Sequence, residues 1–389
     1  MDFLRRTWAQ IDLDALRHNY TLIREKLAPD CRMLCVVKAD GYGHGAVPVA
    51  RELAKNGADY FAVSNIEEAK DLRQGGLSEN ILILGYTPLE KLDELWAYNI
   101  AQTVFSLPYA EALSEKAKEK GAPITVHVKL DTGMGRLGFP YYAEESSIEE
   151  IQKACTLPGL TCEGIFTHFA ASDMAEEDSY TQRQFDLFMN GVERLAGKGV
   201  TFQYRHCCNS AAVLRHPDMH LDMVRPGLIL YGLSPAEDLP SAERLVPVMS
   251  LKTVISQLKW VEEGQAVSYG LTYRAKRPTR LATLPVGYAD GYSRSLSNRG
   301  TVCIKGQEVP IAGRVCMDQT VADVTDIPGC TEKDIVTLFG TDGSCTIPVE
   351  RIAELAGTIN YEIVCDIGKR VARIFIKDGQ EAGILNYYG

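Results

Sequence analysis

Short apolar runs alternate with amphipathic segments from residue 32 to residue 225, and this alternation limits the fold more than any other feature of the chain. The runs are RMLCVVK (32–38), YFAVS (60–64), ILILG (81–85), AQTVFS (101–106), ITVHVKL (124–130), TCEGIFTH (161–168), TFQYRH (201–206) and LDMVR (221–225). Between them lie stretches with helical spacing, such as NIEEAKDLRQGG and PYAEALSEKAKEKG, and several of these end in glycine, as helix C-caps do. Eight strands separated by helices imply an α/β fold, a closed parallel (β/α)8 TIM-like barrel. A doubly wound open sheet is the competing arrangement.

The texture changes after about residue 240. VMSLKTVISQLKWV, TRLATLPVGYADGY, TVCIKGQEVPIAG, KDIVTLFG and RVARIFIKDG are short β-type runs bounded by Gly, Pro and Asp. They predict a mostly antiparallel β domain. The expected division is a barrel over 12–240 and a β-rich domain over 241–389, with an N-terminal strand within 1–11 added to the latter.

Composition narrows the function classes. The chain has 389 residues and a net charge of −10, with no basic block, which argues against a nucleic-acid partner. The N-terminal stretch MDFLRRTWAQIDLD lacks the apolar core of a secretory signal, and no run approaches the roughly 20 apolar residues of a membrane span. A cytoplasmic protein is expected. Eleven cysteines are scattered without a Cys-x-x-Cys pair, so they read as small buried hydrophobes rather than as a zinc site or a disulfide framework, and no metal is implied.

Chemistry in a parallel barrel is done at the C-terminal ends of the strands. The residues expected there are Lys38, Lys129 with Arg136 just beyond it, His168, His206 and Arg225. That mouth is positive and suits an anion. CCNSAAVL puts Asn209 and Ser210 directly before a helix, with Ser210 expected as N-cap, and VRPGLILYG offers the Gly227 and Leu228 amides. Loops in these two places commonly cradle phosphate in such barrels. A phosphate site beside a lysine at a strand end suggests pyridoxal 5'-phosphate, whose aldehyde condenses with lysine.

VVKADGYGHG, VKLDTGMGRLGF, THFA, MVRPGLILYG, VSYGLTY, PVGYADGY, GRVCMDQ and INYEIV, in this order, resemble the motifs of the alanine racemases, fold-type III enzymes that use pyridoxal phosphate. The resemblance covers nearly the whole chain, and the motifs together are highly specific. It implies racemisation of alanine by two bases, Lys38 and Tyr269, on opposite faces of the substrate carbon, to supply D-alanine for peptidoglycan. Lys38 would also hold the cofactor. Arg225 would meet its ring nitrogen, His168 would support Arg225, and Arg136 would contact the ring hydroxyl. Tyr42, Ser210, Gly227, Leu228 and Tyr361 would hold the phosphate, with Asn209 beside them. Met317 and Arg136 would receive the substrate carboxylate, Tyr288 would line the entrance, and Lys129 is the candidate for carbamylation. A head-to-tail homodimer, each β domain covering the partner's barrel, is implied as well. Cys208 stands where the family tends to have alanine. The rival readings are a serine/alanine racemase of broader specificity, a related decarboxylase and a non-catalytic pyridoxal phosphate carrier.

Overall fold

The computed structural model describes residues 6–142, 147–332 and 334–388. Two compact units divide the chain: one holds Leu16–Gly41 and Ala46–Val246, the other the residues up to Ala15, Tyr42–Gly45 and those from Pro247 onward. The first strand, β1 (Thr7–Asp12), belongs to the second unit.

The first unit is a parallel, near-closed eight-stranded barrel. Its strands are β2 (Arg32–Val36), β3 (Tyr60–Val63), β4 (Asn80–Ile83), β5 (Ala101–Val104), β6 (Ile124–Asp131), β7 (Leu160–Phe166), β8 (Tyr204–His206) and β9 (Met223–Val224). Each pairs with the next in parallel from β2 through β8, and β9 pairs with β2. Between β8 and β9 the main chains meet through Asp222 N–H, which donates to Arg205 C=O at 3.3 Å. All eight apolar runs of the sequence became strands, because strands covered on both faces need side chains that can be buried on both. Every residue of β3 and of β5 is buried.

The longer helices between the strands bury one stripe each, whereas residues 210–214 of the short helix Ser210–Arg215 are all buried. In the helix Ile66–Gln74 the buried residues are Ile66, Ala69 and Leu72, and Asn65 caps its start by accepting from Glu68 N–H. The helix Leu107–Lys120 starts on the Ser106 cap and stops at Gly121, which takes the left-handed conformation that a residue with a Cβ resists.

The second unit is mostly antiparallel. Seven strands lie in the order Gln307–Pro310, Thr301–Ile304, Ile335–Asp342, Met249–Val254, β1, Ala372–Lys377 and Gln380–Leu385, with Cys345–Ile347 added to Ile335–Asp342. Only the pairing of β1 with Ala372–Lys377 is parallel among these. A separate sheet joins Gln257–Val261, Thr279–Leu284 and Thr320–Asp323, and its core includes Val261, Leu281 and Ala312. Of the N-terminal segment 1–11, residues 1–5 lie outside the described residues.

One pair of cysteines departs from the expectation of isolated buried thiols. Cys303 and Cys345 are bonded as a disulfide with Cα atoms 5.9 Å apart. Both of their strands pair with Ile335–Asp342, at neighbouring stretches of it, so 42 residues of sequence separation collapse to one contact. The spacing of cysteines along a chain carries no signal of such a pairing. Among the described residues no cluster suited to a metal ion occurs, and no helix is long and apolar enough to cross a membrane.

Candidate active site

Lys38 does not end its strand. β2 stops at Val36, and Lys38 opens a tight turn in which Ala39, Asp40, Gly41 and Tyr42 all have φ between 50° and 62°. Each non-glycine residue held in this left-handed region costs about 1–2 kcal/mol. Strain of this kind persists only where surroundings over-determine it. Here Asp40 accepts from Ala46 N–H at 2.9 Å, and Gly41 N–H donates to Val37 C=O at 2.9 Å. The turn leaves the Lys38 side chain half-buried rather than laid out in solvent.

Lys129 also lies inside its strand rather than at the end. Its neighbours at two-residue spacing, His127 and Asp131, are buried with it on one face of β6. Its ammonium sits 4.6 Å from the centroid of the Phe166 ring. Burial first, and then the charges of Arg225 and Arg136, hold its pKa well below the ordinary lysine value. Asp131 organises the loop that follows. Its Oδ1 accepts from the amides of Gly133, Met134 and Gly135 at 2.9–3.1 Å, and its Oδ2 from Tyr142 O–H at 2.8 Å. Burial works to raise the Asp131 pKa, but these donors win and the net shift is downward. Arg136 follows this loop and is exposed.

Arg225 is 4% exposed and tied down on several sides. Nη1 donates to His206 Nδ1 at 3.0 Å, and Nη2 donates to Thr167 C=O at 2.8 Å, Cys207 C=O at 3.0 Å and His168 Nδ1 at 3.3 Å. The guanidinium carbon lies 5.3 Å from the Phe166 centroid, and Phe166 stacks on His206 at 4.7 Å. Burial pushes the Arg225 pKa down to about 10. His168 is held well below the usual imidazole value, by burial first and then by Lys129, Arg225, Arg136 and Lys38. Basic side chains of the barrel, Lys129, Arg225, Arg136 and Lys38, are thus all close enough to His168 to disfavour its protonation.

The expected phosphate loop differs from the sequence-based expectation at its helix cap. Asn209, not Ser210, is the N-cap of the helix Ser210–Arg215: it is extended (ψ −172°) and its Oδ1 accepts from Ala212 N–H at 3.1 Å. Asn and Ser are equally good caps, and only the backbone conformation decides between neighbours. The same Oδ1 accepts from Ser172 O–H at 2.8 Å, so this side chain is committed to local structure. Ser210, released from capping, accepts from Gly227 N–H at 2.9 Å and keeps its own proton to donate. Leu228 opens the next turn, and both Ser210 and Leu228 are buried.

The remaining predicted residues belong to the β-rich unit. Tyr42 and Tyr361 meet with ring centroids 6.2 Å apart. Gly43 is required beside them, since a Cβ there would stand 2.1 Å from Val364 O, and Arg373 Nε donates to the Gly43 carbonyl at 2.9 Å. Tyr288 and Met317 are brought together because the Tyr288 and Ala289 amides donate to Cys316 and Met317 carbonyls at 3.1 and 3.0 Å. Tyr269 follows Ser268, whose hydroxyl donates to Arg314 C=O at 2.6 Å. Tyr269 is 72% exposed, with Leu271, Met317 and Tyr288 also unusually open for their size.

The residues of the barrel fit pyridoxal phosphate by their chemistry: a half-buried lysine, a buried guanidinium, and a hydroxyl beside main-chain amides among cations. His127 and Glu163, to which no role is expected from the sequence, and His206, expected only at the mouth, join one polar core beneath Arg225. A usable signal existed in VHVKLD, where alternation puts His127 on the same face as Lys129.

The family description "Alanine racemase, N-terminal domain" matches residues 11–235, and "Alanine racemase, C-terminal domain" matches residues 248–375. An alanine racemase of Desulforamulus reducens is 46% identical over 370 residues, covering 95% of this chain and 98% of that protein. Alanine racemase 1 of Clostridium acetobutylicum is 44% identical over 385 residues, with 99% of each chain covered. Among solved structures, the alanine racemase of Clostridium difficile 630 superposes with a TM-score of 0.94 at 40% identity, covering 100% of both chains. That from Bacillus anthracis, with bound L-Ala-P, gives 0.92 at 36% identity, covering 100% of this chain and 99% of the other.

Proposed function

Because the chain belongs to the alanine racemase family, we propose that it interconverts L- and D-alanine with pyridoxal 5'-phosphate, using Lys38 and Tyr269 as bases on opposite faces of the substrate carbon. The carrying observation is the buried Arg225 guanidinium, held by His206 and His168 at 3.0 and 3.3 Å, with Lys129 at the same Phe166 ring, in a family barrel. When bound, the cofactor supplies the electron sink that makes the substrate Cα–H acidic. The chain supplies the rest. In this reading Lys38 holds the cofactor and moves a proton at one face of Cα, while the Tyr269 hydroxyl does so at the other. Two fixed bases let a proton leave on one side and return on the other without either having to cross the substrate.

Arg225 faces the ring nitrogen and, having only donors, keeps that nitrogen an acceptor. Ser210, the Gly227 and Leu228 amides, Tyr42 and Tyr361 hold the phosphate, and Asn209 shapes their loop as the helix cap. Arg136 orients the ring hydroxyl and, with Met317, the substrate carboxylate; Tyr288 lines the entrance. Lys129, whose neutral amine is favoured by burial and by neighbouring cations, is the residue open to carbamylation, which would set an anion beside Arg136. The barrel is the cofactor domain over 12–240 and the β domain spans 241–389 with the N-terminal strand. D-alanine for peptidoglycan is the proposed purpose.

The proposed assembly is a homodimer in which Tyr269 of one copy serves Lys38 of the other. The exposure of Tyr269, Leu271, Tyr288 and Met317 supports it, since large apolar side chains are seldom left open together without a surface to cover them. The test has two parts. Racemisation of L-alanine and of L-serine is compared with and without added pyridoxal phosphate; cofactor-independent activity, or serine turned over as well as alanine, would count against the reading. Inactive Lys38→Ala and Tyr269→Ala proteins are then mixed and allowed to exchange subunits. Random exchange makes half of the dimers mixed, each with one intact site of two, so about a quarter of the wild-type activity should return. Demonstrated exchange without recovery would place both bases on one chain.

A further inference from the structure

We propose that Glu163 and His127, acting through His206, are positioning residues for racemisation: they form a one-directional hydrogen-bond relay inside the barrel that fixes the Arg225 guanidinium. The catalytic consequence rests on the reading of Arg225 given above; the relay itself does not.

The contacts are continuous. Arg225 Nη1 lies 3.0 Å from His206 Nδ1, His206 Nε2 lies 2.9 Å from His127 Nδ1, and His127 Nε2 lies 3.0 Å from Glu163 Oε2. Tyr60 O–H donates to the same Glu163 oxygen at 2.9 Å. Both histidines are fully buried.

Only one placement of the ring protons satisfies this chain. A guanidinium has donors and no acceptor, so His206 Nδ1 must be bare. The neutral His206 then carries its proton on Nε2 and donates it to His127 Nδ1. His127 in turn carries its proton on Nε2 and donates to Glu163. A protonated His127 would require His206 to accept at both nitrogens, which a neutral imidazole cannot do. Burial keeps both rings below the usual imidazole pKa, in keeping with two neutral rings between a cation and a carboxylate. Glu163 is thus the remote counter-anion of Arg225, linked to it by two oriented dipoles rather than by contact.

The local backbone is shaped around this arrangement. The β6–β7 register pairs Val126 with Cys162 but His127 with Gly164, so Glu163 is the extra residue of a bulge. Bulges re-aim side chains and recur beside active sites. Gly164 has no side chain for a reason: a Cβ there would stand 2.3 Å from His127 Nδ1, the atom that accepts from His206. Glu163 and Tyr60 also line a cavity of about 130 Å³ with Asn80, Pro123 and Asn99, residues at or before the strand starts, so the anionic end of the relay lies at the N-terminal end of the barrel.

Holoenzyme labelled with nitrogen-15 histidine gives the ring tautomers directly through two-bond proton–nitrogen correlations. Both His127 and His206 should appear as Nε2-protonated rings with bare Nδ1. Glu163→Leu and Gly164→Ala should each shift the His127 Nε2–H signal, because the ring loses its acceptor in the first and its position in the second, and lower kcat for alanine by roughly tenfold, the lower end of what partners behind a fixed imidazole contribute, with KM little changed. Glu163→Gln keeps an acceptor and loses the charge, so it should hold the tautomers and fall between in kcat. Nδ1-protonated His206 in the wild-type protein would overturn the relay even if every variant failed to fold. A Glu163→Leu protein with unaltered His127 signals and unaltered kcat would overturn it equally. Arg225→Lys separates the two readings: unchanged turnover there removes the assigned role of Arg225, and with it the catalytic purpose of the relay, whatever the tautomers show.

Discussion

Replacing Ser210 with alanine separates the phosphate role of this hydroxyl from its part in the fold. Ser210 is 5% exposed, and its Oγ is the acceptor for Gly227 N–H at 2.9 Å. Deleting it strands a buried amide donor, a loss of about 1–3 kcal/mol in the stability of the cofactor-free protein. If the Ser210 proton also reaches the cofactor phosphate, the variant loses a hydrogen bond to a charged group, about 1.5–3 kcal/mol, so the dissociation constant for pyridoxal phosphate should rise roughly 10- to 150-fold. Asn209→Ala is the control. Its Oδ1 serves Ala212 N–H and Ser172 O–H, so its loss should cost about 1 kcal/mol of stability as a missing helix cap. Its effect on cofactor binding should be smaller. The assay pairs urea denaturation of the cofactor-free proteins with absorbance titration by pyridoxal phosphate. If Ser210→Ala is destabilised but binds the cofactor as tightly as wild type, Ser210 is structural only. If Asn209→Ala weakens binding just as much, loop shape rather than the hydroxyl is what matters.

Lys38→Ala should abolish the visible absorption band of the lysine-bound cofactor together with nearly all racemisation; a variant that keeps both would remove Lys38 from its role. Lys129 should make stability pH-dependent: an unfolded lysine titrates near 10.4, whereas the buried one titrates well below that. Between the two values the unfolded chain holds the extra proton, so stability should rise with pH across that window, with the full penalty present below the folded pKa. Denaturation midpoints of Lys129→Met and wild type should therefore converge as pH approaches 10, and curves parallel throughout would refute this. Gly43→Ala and Gly121→Ala both force alanine into left-handed φ (+79° and +62°), but only the first meets backbone, at 2.1 Å, while the second meets nothing within 4 Å. Gly121→Ala should cost about 1 kcal/mol and Gly43→Ala a further 1–3 kcal/mol or so for overpacking; equal losses in urea would show that the contact with Val364 is not limiting.

The eight barrel strands were legible in the sequence because burial on both faces demands continuous apolar runs, which stand out against helices with one apolar stripe. The β-rich half was legible as a class, from short runs between Gly, Pro and Asp, but its strand order was not, since β1 pairs with Ala372–Lys377 at the far end of the chain. Lys38, Lys129, His168 and Arg225 could be picked out because a lysine, histidine or arginine close to the end of an apolar run is chemically conspicuous. The Asn209–Ser210 exchange of roles was not legible, because two residues with the same capping chemistry are told apart only by φ and ψ. Nor was the pairing of Cys303 with Cys345, which depends on two strands pairing with neighbouring stretches of a third. The Glu163–His127–His206–Arg225 chain was hidden for a further reason. Strict alternation assigns faces residue by residue, and a single-residue bulge at Glu163 breaks that count. Side-chain identity determined which groups could do chemistry; register and backbone conformation, set by packing over the whole barrel, determined which of them meet.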